Sequence, residues 1–494
     1  MDFPSVLLGA GTAFSSYSCR ANLGFVAASV TRALGISCSQ YGLLSGVFYL
    51  SYMLFMVPST LGAQRWGALP WIGWSVVIWG FVCSACAFAG SSYALFLAIR
   101  LGLGVVQSGT FPSIMQYLSA FHSPTHMGTA YSVAVSAVPL AQIISPLLVA
   151  LIDEAAAGGA LGLAAWQWVF LVDGAISVIF GLLVLVIVSV RRRRREDLGL
   201  AIEASRESPF VSQGSAVKST IWASYAAILR DRRAWYLATI FFLVDQVIVG
   251  WIFFIPLIVS SMFGNHDTSS SKSSCAGDDT RLADTKSILL SAIPFFAAMV
   301  GNWVVAWSSD RMFERRWHAT GSLTIASVLL FWLAFLDHEG NSIASFILLV
   351  MGSAFTNGYH GPVVTWPNDF ARSADEATRI FALCNACGCI GASLGPVVFG
   401  LLETNSGGYT LTFLYNSVCV ALAAVLVAFF KPERSEGHAY TPIELATRRK
   451  RDDRSPETAA ILAATSIETE LSQSLSRRRS SRQRRTSSLR QLSV

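Results

Sequence analysis

An arginine in the middle of an apolar stretch is the residue of this chain best suited to chemistry. Arg20 lies near the centre of residues 5–31, which contain no acidic residue. A charge at the centre of a bilayer costs about 2.5–3.5 kcal/mol, so charged residues there commonly serve a function. We interpret Arg20 as facing a wet central cavity and binding an anion, since its planar guanidinium suits a carboxylate. The alternative is an ion pair with Asp245, an acid of a later apolar stretch.

A second arginine, Arg100, shares an apolar stretch with Gln107. The two residues are seven apart, which is two helical turns, so they lie on one face of a helix. One interpretation has both side chains reaching the cavity of Arg20. The alternative has Arg100 bonding backbone carbonyls of a neighbouring helix.

Polar residues inside other apolar stretches are further candidates for the substrate site. Asp245 has the best claim among them, because a lone acid within a membrane helix is costly to place there. Tyrosines in such helices are commonly interfacial and asparagines commonly join helices by hydrogen bonds, so these residues have structural alternatives. The remaining candidates are Tyr52, Asn357 and Asn385.

The sequence lacks the residue patterns of an enzyme. Cys384, Cys387 and Cys389 have a spacing that resembles a metal cluster, but no histidine lies close by, and a C-x-x-C-x-C helix does not bring three thiols to one face. We interpret them as small residues at a helix interface. No nucleophile–base pair or phosphate-binding loop is evident, so we predict no catalytic residue, metal or cofactor.

The composition predicts the elements that must position these residues. Of the 494 residues, 53% are hydrophobic and 13% are charged, about half the charged fraction of a soluble domain. Nucleic-acid binders, soluble enzymes and disordered scaffolds are therefore poor descriptions of the whole chain. A membrane helix needs about 20 apolar residues, and twelve such stretches run from residues 5–31 to residues 409–430. The predicted fold class is an all-α membrane protein with twelve transmembrane helices.

The basic residues predict how these helices are oriented. With the N-terminus inside, 30 of the 36 Lys and Arg residues fall in inner loops and the tail, while four fall in outer loops and two lie within the membrane. Basic residues concentrate on the cytoplasmic side of membrane proteins. We therefore expect a multi-pass protein of the plasma membrane or an internal membrane, with both termini in the cytoplasm.

A basic segment at residues 191–233 separates two groups of six helices. Leu-Leu-Ser stands 20 residues before an arginine in both groups, at an offset of 246 residues, and a Ser/Gly-Pro motif recurs at an offset of 250. Two parallel six-helix repeats are typical of transporters that bind substrate between the halves. We predict an N-terminal half at 1–190, a cytoplasmic linker at 191–233, a C-terminal half at 234–431 and a tail at 432–494.

The tail is polar, basic and rich in serine, a composition that predicts disorder. Its simplest interpretation is a solvated cytoplasmic segment. A sharper hypothesis is contact with anionic lipid that a kinase switches at Ser480, Ser487 or neighbouring serines, which lie close behind arginine pairs.

Several motifs resemble those of a known transporter family. Residues Cys19–Phe25 resemble the first-helix signature of the anion:cation symporters of the major facilitator superfamily. That family includes phthalate, tartrate, sugar-acid and allantoate permeases and the sialin-like transporters. The resemblance covers about residues 15–430 and is stronger in the first half. The other matching motifs are Tyr41–Gly46, Val57–Ser59, Arg65–Ala68, Arg100–Pro112, Trp166–Gly174, Ser309–Arg311, Asn385–Gly388 and Gly395–Gly400.

The resemblance implies a carrier that works by alternating access, with an organic anion bound between its two halves. It places Arg65 and the Asp310–Arg311 pair in cytoplasmic loops that stabilise one conformation. The residues that it places in or beside the substrate site are Arg20, Tyr52, Arg100 and Asn385.

Two positions depart from the family pattern. Cys19 stands where the family usually has an aspartate, and Gln107 stands where it usually has a glutamate. The resemblance would make those acids the proton carriers, whereas a thiol or an amide does not exchange protons as a carboxylate does. Proton symport by the usual route is therefore in question, and Asp245 is the candidate replacement. Without coupling, a negative interior opposes anion entry by about 2.3 kcal/mol per charge per 100 mV.

The sequence thus predicts a carrier of a small organic anion, a carboxylate, with Arg20 as its principal contact. One alternative is a facilitator of a neutral or zwitterionic solute, in which Arg20 pairs with Asp245. A different class is a non-transporting sensor on the same fold, which would signal through residues 191–233 or the tail. The expected partners are a small-molecule substrate and the lipid bilayer, and no nucleic acid.

Overall fold

Lipid offers no hydrogen-bond partners, so apolar stretches of this length satisfy their backbone groups by forming helices. The computed structural model describes residues 3–90, 92–122, 124–156, 162–197, 228–263, 285–312, 314–336, 341–371 and 374–430. Every regular element within these ranges is helical, so the predicted all-α architecture is confirmed. Most of the predicted linker and all of the predicted tail, with Ser480 and Ser487, lie outside the described residues.

Six apolar stretches form the N-terminal helices, α1–α9, because three of the stretches are each divided into two. A short 3-10 turn, Cys86–Phe88, extends α4. The elements are α1 (Phe3–Phe25), α2 (Ala27–Leu34), α3 (Cys38–Trp66), α4 (Ala68–Ala85), α5 (Tyr93–Gln107), α6 (Thr110–Ser119), α7 (Pro124–Val135), α8 (Ala137–Ala156) and α9 (Ala165–Asp197).

The C-terminal helices, α10–α18, arise from the other six stretches. Two of these stretches are divided, and a single turn follows the tenth. The elements are α10 (Arg232–Phe263), α11 (Thr285–Leu290), α12 (Ala292–Met312), α13 (Arg316–Phe335), α14 (Ser342–Gly358), α15 (His360–Val364), α16 (Pro367–Phe370), α17 (Ala374–Ser406) and α18 (Thr410–Phe429).

Eleven spans among the described residues are long and apolar enough to cross a membrane. Helix α1, with 23 residues, is long enough as well, but its four serines together with Arg20 and Asn22 make it less apolar. The predicted count of twelve is reached when α1 is included. Helix α1, which is less apolar than the other spans, therefore carries Arg20, the leading candidate residue.

Three of the breaks lie close to candidate site residues. The stretch predicted at 5–31 divides at Val26, the stretch at 93–118 divides after Gln107, and the stretch at 342–365 divides at Tyr359. At the second break a Cβ on Gly109 would overlap the side chain of Ser59 in α3. At this break the close contact between Gly109 and Ser59, rather than hydropathy, decides the path of the chain.

Local sequence signals fix the turn between α2 and α3. Gly35 ends α2 in the left-handed region, with φ of 62°, a conformation that glycine adopts without a steric penalty. Ser37 then caps α3: its hydroxyl accepts from the N–H of Gln40 at 3.3 Å, and its own N–H donates to the Gln40 side chain at 2.9 Å. This reciprocal capping satisfies two otherwise unpaired donors. We call this end of the bundle the Ser37 end and the opposite end of α3 the Trp66 end.

The N-terminal and C-terminal helices pack tightly against each other near the Ser37 end. The contact runs along α3 and α17, and glycines allow the two backbones to touch, as small residues do between membrane helices. At each of these glycines a Cβ would overlap a backbone carbonyl of the other helix. The overlapping pairs are Gly42 with Pro396, Gly46 with Ser393, and Gly400 with Cys38.

Candidate functional site

Arg20 lies in α1 and is held by two neutral hydrogen-bond partners. Its Nε donates to Oε1 of Gln107 at 2.9 Å, and its Nη2 donates to the hydroxyl of Ser16 at 3.1 Å. The Ser16 hydroxyl in turn donates to the same Gln107 oxygen at 3.1 Å. The phenols of Tyr17 and Tyr52 also interact with the guanidinium. Neutral groups therefore fix the guanidinium, and no acid among the described residues forms an ion pair with it.

Aromatic rings surround the charge. The centroids of Tyr17, Phe48 and Tyr52 lie 4.8, 4.8 and 4.7 Å from the guanidinium carbon, and that of Phe111 lies 6.0 Å away. Rings at these distances attract a cation through their faces. Arg20 is only 2% exposed, so the wet cavity expected at this residue is not seen. The ring cage replaces water around the cation.

Tyr17 and Phe111 form the thinnest part of this cage. Their rings meet edge to face with centroids 5.9 Å apart, and both residues are half-buried. The other two rings, on Phe48 and Tyr52, are buried. An anion would therefore approach Arg20 past Tyr17 and Phe111.

Arg100 lies in α5 and is completely buried. Its guanidinium carbon lies 5.5 Å from the ring of Phe48 and 6.0 Å from that of Phe253. None of its three guanidinium nitrogens finds a hydrogen-bond partner among the described residues. The alternative in which Arg100 bonds backbone carbonyls is therefore wrong for this arrangement. Phe48 lies between the two arginines and contacts both.

Asp245 lies in α10 and does not pair with Arg20. The carboxylate is half-buried, and no ion pair within the described ranges joins it to an arginine. A Cβ on Gly388 of α17 would overlap its Oδ2, so the carboxylate occupies space that this glycine leaves free. The alternative of an Arg20–Asp245 pair is therefore not formed, because Gln107 and Ser16 already hold the guanidinium.

The remaining candidates lie at different distances from this cluster. Asn385 of α17 donates to the Met56 sulfur at 3.6 Å, one helical turn along α3 from Tyr52. Asn357 donates to the carbonyl of Ser353 in its own helix, at 3.0 Å. Tyr52 and Gln107 thus contact Arg20 directly, and Asn385 contacts the helix of Tyr52. The hydrogen bond of Asn357 stays within its own helix.

The proposed gating residues lie in helices rather than loops. Arg65 is in the last turn of α3 with its guanidinium 5.7 Å from the Trp66 ring, and Arg311 is in the last turn of α12, 5.4 Å from the Trp307 ring. Asp310 is exposed beside Arg311. The expectation of loop positions was wrong, because both helices continue to the Trp66 end of the bundle.

One buried cluster was missed by sequence reasoning. Cys19, Cys83 and Asp173 place their ligand atoms within 4.8 Å of one another, in a geometry that could hold a metal ion. Asp173 accepts from the hydroxyl of Ser18 at 2.7 Å. The three residues come from α1, α4 and α9, so no sequence spacing could have shown their proximity. Ser16 could have been found, since it precedes Arg20 by one helical turn.

The sequence profile of the Major Facilitator Superfamily matches residues 9–372 and 269–477. A putative tartrate transporter of Agrobacterium vitis is 28% identical over 417 residues, which is 84% of this chain and 90% of that protein. The putative metabolite transport protein NicT of Pseudomonas putida is 27% identical, over 79% of this chain and 85% of that protein. A quinolone resistance transporter of Acinetobacter baumannii is 25% identical, over 85% and 92%.

Solved structures share the fold. A bacterial homologue of the human lysosomal transporter Spinster, in an inward-facing and unoccupied conformation, superimposes with a TM-score of 0.68 at 18% identity, over 88% of this chain and 98% of that one. A D-xylose-proton symporter superimposes with a TM-score of 0.65 at 15% identity, over 88% and 99%. At these identities the similarity establishes the arrangement of the helices.

Proposed function

The chain belongs to the major facilitator superfamily and is a membrane carrier, and on this premise we propose that it moves a small organic anion, a carboxylate, by alternating access. The observation that carries the proposal is Arg20, a buried cation that Gln107 and Ser16 hold while no acid among the described residues forms an ion pair with it. A carboxylate is the acceptor that suits such a guanidinium. Relatives named as tartrate transporters support an anionic substrate.

The aromatic cage supports selectivity for a charged group. Hydrogen bonds to an ion are stronger where water is excluded, and Arg20 is 2% exposed. A neutral amide in the same place would gain less from the cation. In this proposal Tyr52 and Asn385 flank the bound molecule, and Arg100 contributes positive potential through the shared Phe48. Asn357 is a more distant contact on the C-terminal side.

The close glycine packing between α3 and α17 supports an alternating-access transport cycle. In this conformation the Ser37 end of the bundle is closed. The contact between α3 and α17 joins the N-terminal and C-terminal helices there, so substrate would exchange at the Trp66 end. Arg65, Asp310 and Arg311 lie at that end, where they would stabilise the opposite conformation when it closes. In this scheme residues 1–190 and 234–431 rock as the two halves about the site, and residues 191–233 link them.

We further propose that the Trp66 end and both termini face the cytoplasm. The excess of basic residues in the inner loops and the tail of the sequence supports this orientation. Single cysteines placed at Arg65 and at Ser37 would test it in intact cells. Labelling by a membrane-impermeant maleimide only at position 37 is the expected result, and labelling only at position 65 would contradict it.

The tail at 432–494 is proposed to contact anionic lipid and to be released by a kinase at Ser480 or Ser487. Trypsin sensitivity of the tail in proteoliposomes tests this idea. Phosphatidylserine should protect the full-length protein, and Ser480→Glu with Ser487→Glu should remove that protection. Equal cleavage with and without phosphatidylserine would contradict it.

Uptake of labelled carboxylates into proteoliposomes tests the function itself. Saturable uptake by the wild type that falls at least tenfold in Arg20→Ala is expected, because one charge-assisted hydrogen bond contributes about 1.5–3 kcal/mol. Uptake insensitive to an inward proton gradient is expected as well, since Cys19 and Gln107 replace the usual acids. Binding without uptake would identify a sensor, and uptake independent of Arg20 would overturn the proposal.

A further inference from the structure

Asp245 is partly exposed on the most enclosed helix of the bundle. Within its apolar window α10 is 78% buried, more than any other described span, yet the Asp245 side chain is only half-buried. Residues on both sides of it, Val244 and Gln246, are buried. Oδ2 of Asp245 lies against Gly388 of α17, so the carboxylate faces a neighbouring helix rather than lipid.

No positive charge accompanies this carboxylate. The titratable groups within electrostatic range are the phenols of Tyr17 and Tyr359 and the thiols of Cys384 and Cys389, none of which is ever a cation. No hydrogen bond or ion pair to Asp245 occurs among the residues that the structure describes. An unpaired carboxylate at this depth is costly, so a cationic ligand would relieve a cost that the protein alone leaves in place.

Two further residues, Gly388 and Tyr359, belong to the surroundings of Asp245. Gly388 leaves the space that the carboxylate occupies. The hydroxyl of Tyr359 is buried and has no hydrogen-bond partner among the described residues, although it lies within electrostatic range of Asp245. An ammonium group bound to Asp245 would donate to a carboxylate oxygen, and the Tyr359 hydroxyl is a second possible acceptor.

Arg20 and Asp245 share two neighbours. Tyr17 and Cys389 each interact electrostatically with both charged residues. Arg20 belongs to the N-terminal helices and Asp245 to the C-terminal helices. A molecule held by both would contact the two sets of helices whose relative motion moves substrate.

The absence of acids at positions 19 and 107 favours a carried molecule with no net charge. Cys19 and Gln107 cannot return a proton with each anion, so a negative interior would oppose the entry of a plain carboxylate. A zwitterion crosses the membrane without moving net charge. The same ligand therefore satisfies Asp245 and removes the opposing effect of the membrane potential.

We propose that Asp245 is a cation subsite and that the carried molecule is an amino acid, with its carboxylate on Arg20 and its ammonium on Asp245. The inference rests on the proposed function, because it assumes that Arg20 holds the carboxylate. Beyond the proposed function, it assigns a positive charge to the substrate and names Asp245 as the residue that selects this charge.

Uptake of a series of amino acids of increasing chain length into proteoliposomes tests this subsite. The probes are glycine, β-alanine, 4-aminobutyrate, 5-aminovalerate and 6-aminohexanoate, each beside the plain carboxylate of equal chain length. The wild type should take up one amino acid of preferred length at least about tenfold faster than its plain partner, as a single charged hydrogen bond allows. An imposed membrane potential should leave that uptake unchanged.

The variants separate this inference from the proposed function. Asp245→Asn should abolish the preference for the amino acid while plain carboxylates still enter, and Asp245→Glu should keep the preference but favour a shorter probe. Glu154→Gln, an exposed acid at the end of α8, is the matched control and should change nothing. If Arg20→Ala removes carboxylate uptake but Asp245→Asn leaves the preference intact, only the cation subsite fails.

Two other results would overturn the subsite. If Asp245→Asn abolishes stimulation of plain carboxylate uptake by a proton gradient, Asp245 is a proton carrier instead. If uptake of every probe is independent of Arg20, the proposed function fails and the subsite fails with it.

Discussion

The N-terminal and C-terminal helices hold opposite charges in opposite ways. Arg20 is bound by Gln107 and Ser16, surrounded by rings and 2% exposed. Asp245 is half-buried and has no partner among the described residues. The cation is thus fixed in place before any ligand arrives, whereas the anion is left available.

This difference indicates a division of labour. A preorganised cation loses little freedom when it binds, so it can set affinity for a carboxylate. An unpaired acid discriminates between ligands, because a ligand without a matching positive charge leaves it uncompensated. We therefore expect changes around Arg20 to alter affinity and changes around Asp245 to alter selectivity.

Arg20→Lys should have the largest effect, since it keeps the charge but loses the planar fork. Lysine cannot donate to Gln107 and Ser16 and still present a fixed donor to the ligand. We expect KM for the carried carboxylate to rise by at least about tenfold. Measurement of KM in proteoliposomes, with Arg230→Lys as the control, checks this. An unchanged KM would mean that charge alone suffices and that the fixed geometry is irrelevant.

Gln107→Glu should have the next largest effect. The new carboxylate would lie within hydrogen-bond distance of Arg20 Nε, where glutamine now accepts at 2.9 Å, and would compete with the substrate. Uptake should fall several-fold at neutral pH, where a glutamate beside an arginine is ionised. Uptake rates at pH 7.5 measure this, and Gln116→Glu provides the comparison. A wild-type rate in Gln107→Glu would show that residue 107 does not influence Arg20.

Gly388→Ala should have a smaller effect that is confined to selectivity. Its Cβ would overlap Oδ2 of Asp245 and displace the carboxylate. We expect the ratio of amino acid to plain carboxylate uptake to fall a few-fold while KM for the plain carboxylate stays constant. Gly321→Ala is the matched control, because nothing lies within 4 Å of a Cβ there. Equal effects of the two variants would contradict the assigned position of Asp245.

Glu314, an acid of the same set of helices that does have partners, should show the smallest effect. Partial burial acts to raise the pKa of its carboxyl, but hydrogen bonds from the N–H of Trp317 at 2.8 Å and from His318 outweigh burial and lower that pKa below its ordinary value. Glu314→Gln should lower the apparent Tm by about 1–2 °C, as loss of a helix cap does.

The pH dependence of that difference follows from the sign of the shift. A lowered pKa in the folded protein stabilises it at neutral pH, and the stabilisation is lost as the pH falls below the ordinary glutamate range. The Tm difference between wild type and Glu314→Gln should therefore shrink on acidification from pH 7 to pH 4. A difference that grows on acidification would contradict the assigned contacts.

The sequence predicted the fold because hydropathy alone specifies membrane helices. Twelve stretches became twelve spans, and the shortfall in α1 arose from the same polar residues that mark the site. The breaks after Gln107 and at Tyr359 could not be predicted, because contacts between helices decide them. The α3–α17 contact likewise depends on glycines that carry no pattern of their own in the sequence.

The site was predicted in part. Arg20, Tyr52 and Gln107 do come together, because a charge in an apolar helix points to a special environment and helical spacing relates neighbours. The ring of Phe48 between Arg20 and Arg100 was not predicted, since phenylalanine is common in membrane helices. The absence of an Arg20–Asp245 pair was not predictable either, because Gln107 competes for the guanidinium from a helix whose position only the structure gives.

Binding of the substrate carboxylate by Arg20 can be measured without transport. Isothermal titration would compare the best carboxylate of the uptake panel with its uncharged primary amide, on the wild type and on Arg20→Ala. We expect the wild type to bind the acid at least about tenfold more tightly than the amide, and Arg20→Ala to bind both equally weakly. Undiminished preference for the acid in Arg20→Ala would contradict it.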